Sequence, residues 1–232
     1  MSLFATVNVP CPVCGKQVAF NTVHSVNAVG RPDLREAILK GTFQSQACPS
    51  CGKTFRLDPR FTYLDVGRNQ WIAVFPHAEI DQWRTREEEV QHLFDRGFGR
   101  EAPPRAREIG VGMKPRLVFG WSALWEKLAI DDHRLEDVQV ELLKVGLLRS
   151  LPESPLSFAT ELRFLEVPRG NPAELSFAWV NSTTADFVQG VSVPRALYDD
   201  VALRADEWKS LRAEFSHALF LDMNRLIIPA GV

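Results

Sequence analysis

Cys11-Pro12-Val13-Cys14-Gly15 and Cys48-Pro49-Ser50-Cys51-Gly52 decide the reading of this chain, and together they hold all four of its cysteines. Each is a Cys-x-x-Cys hook followed by glycine, and 33 residues separate the two. Four thiolates on two tight turns can close a tetrahedral shell around one metal ion. Zinc is the expected occupant, with Cys11, Cys14, Cys48 and Cys51 as its ligands. Gly15 and Gly52 belong to the same signal: lacking a Cβ, each lets the backbone curl and aim its N–H groups at the sulfurs. A four-thiolate shell leaves no open coordination position, so the spacing predicts a structural site. Apparent binding energies in small zinc modules run to roughly 10–16 kcal/mol.

Three rivals compete for the same cysteines. Iron is the alternative metal, because rubredoxins hold a redox iron on paired hooks with a comparable gap. Those proteins are very small and strongly acidic, whereas this chain has 232 residues and a net charge of −2. Two disulfides would require an exported protein. The opening Met-Ser-Leu-Phe-Ala-Thr-Val shows neither a basic segment nor an apolar stretch of signal-peptide length. No window approaches the roughly 18 apolar residues of a membrane span, so the expected location is cytoplasmic, where thiolates stay reduced, and no membrane partner is expected. Dithiol redox catalysis would need an exposed thiolate of low pKa, and two matched hooks point to ligands instead.

Composition sets further bounds. The chain is 45% hydrophobic and 24% charged, and its near-neutral balance supplies no global field toward nucleic acid or an anionic surface. Its length admits one large domain or two of ordinary size.

Strands are expected at residues 7–9 and 17–22 around the first hook and at 54–57 after the second. Between the hooks, Pro32-Asp33-Leu34-Arg35-Glu36-Ala37-Ile38-Leu39-Lys40-Gly41 reads as a helix opened by proline and closed by glycine. Residues 61–66 and 71–75 read as a hairpin across Gly67-Arg68-Asn69-Gln70. A charged helix with Ile80, Trp83, Val90, Leu93 and Phe94 as its apolar set follows, ending near Gly97. Residues 97–114 are rich in helix breakers and read as the main break. A strand at 116–119 leads to a helix over 123–129 capped by Ser122 and another around 133–148. Strands at 157–167, 175–181 and 187–193 precede a short helix at 195–201. A final amphipathic helix is expected to carry Trp208, Leu211, Phe215, Leu219, Met223 and Leu226. The fold class is α+β: a zinc-ribbon-like four-cysteine β unit at the start, then mixed strands and helices.

The arrangement resembles the CpXC family of bacterial proteins, which carry two Cys-Pro-x-Cys hooks. The likeness extends to the helix at 32–41, to Tyr63-Leu64-Asp65 followed by Trp71-Ile72-Ala73-Val74-Phe75-Pro76, and to Arg116-Leu117-Val118-Phe119 with Glu126-Lys127-Leu128. It continues through Leu135-Glu136-Asp137 and Glu141-Leu142-Leu143-Lys144. It covers residues 7–150, and its one departure is the histidine missing after Tyr63-Leu64. The resemblance implies the metal and the domain span, and supplies no reaction. The expected organisation is a zinc-binding lobe over 1–97, a Pro/Gly/Arg linker over 98–114, the rest of the CpXC domain over 115–150, and a C-terminal α+β region over 151–232.

Other candidate chemistry is thin. His24, His77, His92, His133 and His217 form no metal-binding pair, though His24 is near enough to the first hook for an outer contact. Acidic pairs stand at Asp131-Asp132, Glu136-Asp137, Asp199-Asp200 and Asp206-Glu207. Asp131-Asp132 and Asp206-Glu207 are read as charges at helix starts, where they complement the macrodipole. The sequence carries no phosphate loop and no nucleophile elbow, so no catalytic residues are assigned and the enzyme class is left open, leaning against. Arg96, Arg100, Arg105 and Arg107 around Phe98 could hold a phosphate backbone and stack a base. The expected function is a macromolecular interaction module with a protein partner. The alternative is a nucleic-acid-associated regulator using the 96–107 arginines and the zinc lobe, and an enzyme with an unrecognised site ranks third.

Overall fold

The computed structural model describes residues 2–150 and 160–228. In chain order the elements are β1 (Leu3–Pro10), β2 (Gln17–Asn27), α1 (Pro32–Leu39), β3 (Ser45–Ala47), β4 (Thr54–Arg56), β5 (Phe61–Asp65) and β6 (Gln70–Phe75). Then follow α2 (Trp83–Gly97), α3 (Pro104–Gly110), β7 (Lys114–Phe119), α4 (Gly120–Asp132) and α5 (Asp137–Ser150). The last are β8 (Thr160–Glu166), β9 (Glu174–Asn181), β10 (Phe187–Pro194), α6 (Arg195–Leu203) and α7 (Lys209–His217). The α+β class expected from sequence is the class observed. The first compact unit takes the described residues through Pro76 together with Asp95–Pro115. The second takes His77–Phe94 and the described residues from Arg116 onward.

In the first unit the strands lie in the order β1-β2-β5-β6. β1 and β2 form an antiparallel hairpin, β2 runs parallel to β5, and β5 turns back into β6. Alternation along β2 sends Val18, Phe20 and Thr22 inward and Gln17, Ala19 and Asn21 to solvent. In β6, Trp71–Phe75 are all buried. The helix between the hooks ends as its sequence predicts. Gly41 takes φ +72°, its N–H reaches the Ile38 carbonyl, and the Thr42 N–H reaches that of Ala37. That pair of bonds is a Schellman motif, which satisfies two carbonyls the helix end leaves free.

The second hook projects from the β3–β4 hairpin, whose first strand the sequence reading did not anticipate. Gln44 and Gln46 fasten this hairpin to β2: their side-chain amides donate to the Val23 and Ala19 carbonyls, each at 3.1 Å. Phe55 from β4 packs against Phe20 at 5.5 Å between ring centres.

Residues 98–114, expected as a linker, contain α3 and belong with the first unit. Breakers do not prevent folding there, because Pro104 occupies the first turn of α3, where proline costs nothing, and Ala102 is buried. The backbone at Gly110 passes so close to Phe98 that a Cβ would overlap the Phe98 carbonyl oxygen. Gly110→Ala is therefore expected to lower the first unit's stability by about 1–3 kcal/mol, the usual cost of overpacking. Urea titration checks it, and a change inside about 0.5 kcal/mol would mean that the two segments are not in contact.

In the second unit, α4, α5, α6 and α7 pack with a sheet of order β10-β9-β8. Leu142, Phe164, Leu175, Phe177, Trp179, Phe215 and Leu221 form its core. Several boundaries differ from the sequence reading. α4 starts at Gly120 without a serine cap: the chain swings out of β7 through φ +83°, a conformation glycine takes without strain, and Ser122 falls inside the first turn. α4 then runs through Asp131 and Asp132, so these carboxylates sit at a helix C-terminus and the macrodipole reading of them is wrong. The cap of α5 is Glu136, whose carboxylate accepts from the Val138 and Gln139 N–H groups at 3.1 and 2.7 Å.

The expected final helix stops at His217. Leu219 and Phe220 leave the helix axis as a bend, and the Glu87 carboxylate accepts both of their N–H groups, at 2.7 and 2.9 Å. A 3-10 turn at Met223–Leu226 follows, capped by Asp222. The expected strand at 157–167 is observed from Thr160, and residues 157–159 lie outside those described.

Candidate metal centre

Each cysteine hook is the turn of an antiparallel hairpin, and the two turns repeat one another bond for bond. In the first, the Cys11 N–H donates to the Lys16 carbonyl and the Gly15 N–H to the Cys11 carbonyl, both at 2.9 Å. In the second, Cys48 donates to Lys53 at 2.9 Å and Gly52 to Cys48 at 2.8 Å. Gly15 and Gly52 share φ +70°, in the left-handed region where a side chain is strained. Nothing lies within 4 Å of the place a Cβ would occupy at either position, so backbone conformation and not crowding requires the glycines.

The hooks face one another. The four sulfurs all lie within 4.8 Å of each other. Cys11 Sγ is 3.8 Å from Cys51 Sγ, and Cys14 Sγ is 3.7 Å from Cys48 Sγ. These separations are far beyond the ~2.05 Å of a disulfide. They match the edge of a tetrahedron with metal–sulfur bonds of about 2.3 Å, which is roughly 3.8 Å. The donor set therefore fits one tetrahedral ion, and the four residues could hold it. Cys11 and Cys48 are 2% and 1% exposed, while Cys14 and Cys51 lie at the surface.

Electrostatics agree with ligation. The Cys51 N–H aimed at the Cys48 sulfur, aided by the Ser50 N–H and the neighbouring thiols, outweighs desolvation and lowers the Cys48 thiol to about 7. At Cys51 the Lys53 N–H pulls down. Desolvation and the crowd of Cys14, Cys48 and Cys11 win, pushing that thiol up to about 11. Thiolate thus forms readily at Cys48 and is resisted at Cys51, the result of crowding sulfurs together. No other cluster of metal-ligating side chains of this kind occurs among the described residues.

The remaining candidates do not converge. His24 and His92 are exposed, on β2 and α2, and His217 is exposed at the end of α7. His133 stacks edge-on against Phe164 at 5.8 Å. His77 lies 3.5 Å from Glu161. Asp137 forms a two-pronged pair with Arg116 at 2.7 and 3.2 Å, and Asp200 pairs with Arg204 at 2.8 Å. Asp206 and Glu207 occupy the turn ahead of α7. Arg96, Arg100, Arg105 and Arg107 are all exposed, with Arg100 held by Asp95 at 2.9 Å, and Phe98 is half-buried.

The sequence reading missed a cluster of buried charges in the second unit. Glu126 and Lys127 from α4, Glu141 and Lys144 from α5, Glu161 and Arg163 from β8, and Asp222 are all buried. Lys144 bonds Glu126 at 3.0 Å and Glu141 at 2.9 Å, and Lys127 bonds Glu141 at 3.1 Å. Arg163 reaches Glu126 at 2.9 Å, Asp222 at 2.6 Å, and Glu161. Backbone N–H groups occupy further lone pairs: Phe164 donates to Glu126 and Met223 to Glu141. Glu126, Glu141 and Asp222 are each shared between a cation and a backbone N–H, and Glu161 is held by Arg163, which is how buried charge is made tolerable.

Comparison with known proteins gave a family and nothing narrower. A family model described as CpXC protein matches residues 9–144. No curated protein and no solved structure matched the chain. The matched span contains both hooks, the Pro32–Leu39 helix and the Glu126–Lys144 charges. The chain belongs to the CpXC family.

Proposed function

We propose that this chain is a zinc-stabilised, cytoplasmic interaction module whose partner is another protein, with no catalytic activity inferred. The observation carrying this reading is the tetrahedral sulfur spacing: four cysteines saturate an ion and leave no coordination position for a substrate. Zinc is favoured over iron because the scaffold needs no redox change. Val13, at the tip of the first hook, is 64% exposed and offers an apolar contact point. No helix among the described residues is long and apolar enough to cross a membrane, which is consistent with the location.

The alternative, a nucleic-acid-associated regulator using the zinc lobe, draws on the exposed Arg96, Arg100, Arg105 and Arg107. An enzyme stays third. One experiment separates the first two: capture from host extract with the intact chain and with Val13→Asp, with and without nuclease. A protein retained by the native chain, resistant to nuclease and lost with Val13→Asp, is the expected result. Retention that disappears with nuclease, together with a salt-sensitive shift of labelled RNA lost in Arg105→Ala/Arg107→Ala, would replace the reading by the alternative. Elemental analysis should find one zinc per chain in a colourless sample; iron with visible absorbance would overturn the metal.

A further inference from the structure

We infer that β1 is a homotypic docking edge, on which a second copy of this chain pairs its own β1 antiparallel about a twofold axis at Thr6. The contact goes beyond the interaction reading above and stands whether or not the hook face binds another protein.

β1 is the terminal strand of its sheet, and among the described residues nothing pairs with its outer edge. Exposed edges of this length are usually blunted by lysine, by charge pointing inward, or by a bulge. β1 has no charged residue, and none occurs before Lys16. The irregularity near Leu3/Phe4 inserts its extra residue, His24, into β2 and leaves β1 unbroken. Leu3 and Phe4 are 55% and 53% exposed.

The ladder fixes which groups face outward. The Cys11 N–H bonds Lys16, so the hydrogen-bonded pairs toward β2 are Val9–Val18, Val7–Phe20 and Ala5–Thr22. The N–H and C=O groups of Phe4, Thr6 and Asn8 consequently point away from the sheet. Placing the axis at Thr6 sets Thr6 against the second copy's Thr6 and Phe4 against the second copy's Asn8, so all three outward N–H groups find carbonyls. Pro10, which has no N–H, falls outside the paired stretch. An axis at Asn8 would set Pro10 against Thr6 and waste an acceptor.

Side chains agree with this register. On the face shared with buried Val18 and Phe20, Leu3 meets Val9 and Ala5 meets Val7, making one apolar row. The opposite face joins threonine to threonine at the axis. In this register every outward N–H meets a carbonyl of an identical strand and Pro10 is left out, and that self-complementarity selects a second copy as occupant.

Amide exchange followed by NMR, with sedimentation on the same samples, tests this on the intact metal-loaded chain. With rising concentration the mass should move toward twice that of one chain. Protection should appear at Phe4, Thr6 and Asn8, while Ala5, Val7 and Val9 stay protected throughout. Thr6→Lys sets two ammonium groups against each other and should leave a monomer, with the inner amides still protected as proof of folding. A single-chain mass at every concentration would overturn the inference. So would a dimer that resists Thr6→Lys but dissolves with Phe187→Lys on β10, another uncharged exposed edge.

Discussion

Cys48→Ser should purify without metal and with the hook region unfolded, while the second unit keeps its core. Cys48 is buried, its sulfur lies 3.7 Å from that of Cys14, and its thiol is the one the surrounding N–H groups bring down to about 7. Serine keeps the size but offers a neutral hydroxyl, so the shell loses both a charge and a soft donor. The effect spreads because the hairpin carrying this hook is short and leans, besides the metal, on two glutamine bonds and the Phe20–Phe55 contact. β3 and β4 contribute three residues each, and a two-stranded ribbon is marginal even when longer. Metal binding is folding energy in such a site. Metal content by mass spectrometry should fall from one per chain to near zero, and amides at 45–57 should exchange freely. Treating the native chain with a chelator should reproduce the same exchange pattern. If the variant keeps its metal and its melting behaviour, the four cysteines are not the ligands.

The hooks were legible because their information is local. Two cysteines, a proline and a glycine within five residues specify a turn, and the copy at Cys48 specifies its counterpart. The helix at Pro32–Leu39 was legible for the same reason, its stop being written in Gly41. What failed depended on distant residues. Leu219, Met223 and Leu226 continue the apolar spacing of α7, and nothing near them says stop. The helix ends because Glu87, more than a hundred residues earlier, takes the next N–H groups.

The buried charges escaped for a related reason. Glu141 and Lys144 stand three apart on a helix, like an ordinary surface pair. The available signal was the company they keep: Val138, Val140, Leu142, Leu143 and Val145 surround them, so α5 has no polar face there on which they could sit. Arg163 and Glu161 in β8 similarly read as the solvent side of a strand, yet α4 covers that face.

Arg163→Met is expected to destabilise the second unit by about 3–5 kcal/mol, the cost of leaving buried charge without its partner. The guanidinium is shared by Glu126, Glu161 and Asp222, and methionine would leave three carboxylates facing apolar volume. Glu141→Gln should cost less, about 1–3 kcal/mol: the amide oxygen can still accept the Met223 N–H, but the NH2 group replaces the oxygen that accepted from Lys127. Their pH dependences separate the roles. Burial raises the Glu126 and Asp222 carboxyls, but Lys144 and Arg163 more than reverse it, so both sit below the unfolded values of 4.5 and 3.8. Their contribution is complete above those values and is lost as pH falls through the lower folded ones. Glu141 is the opposite case: burial outweighs Lys144 and Lys127 and holds its carboxyl above 4.5. Its contribution is complete below that value and fades as pH rises through the folded one. Stability of the second unit, followed in urea by tryptophan fluorescence, to which Trp83, Trp121, Trp125, Trp179 and Trp208 of that unit contribute, should therefore drop in acid in the native chain and ease off as pH rises. Glu141→Gln should remove the upper decline and leave the acid limb, while Arg163→Met should flatten the acid limb. If Arg163→Met changes stability by less than about 1 kcal/mol, or the two variants cost the same, the carboxylates are not held by the guanidinium and water reaches them instead.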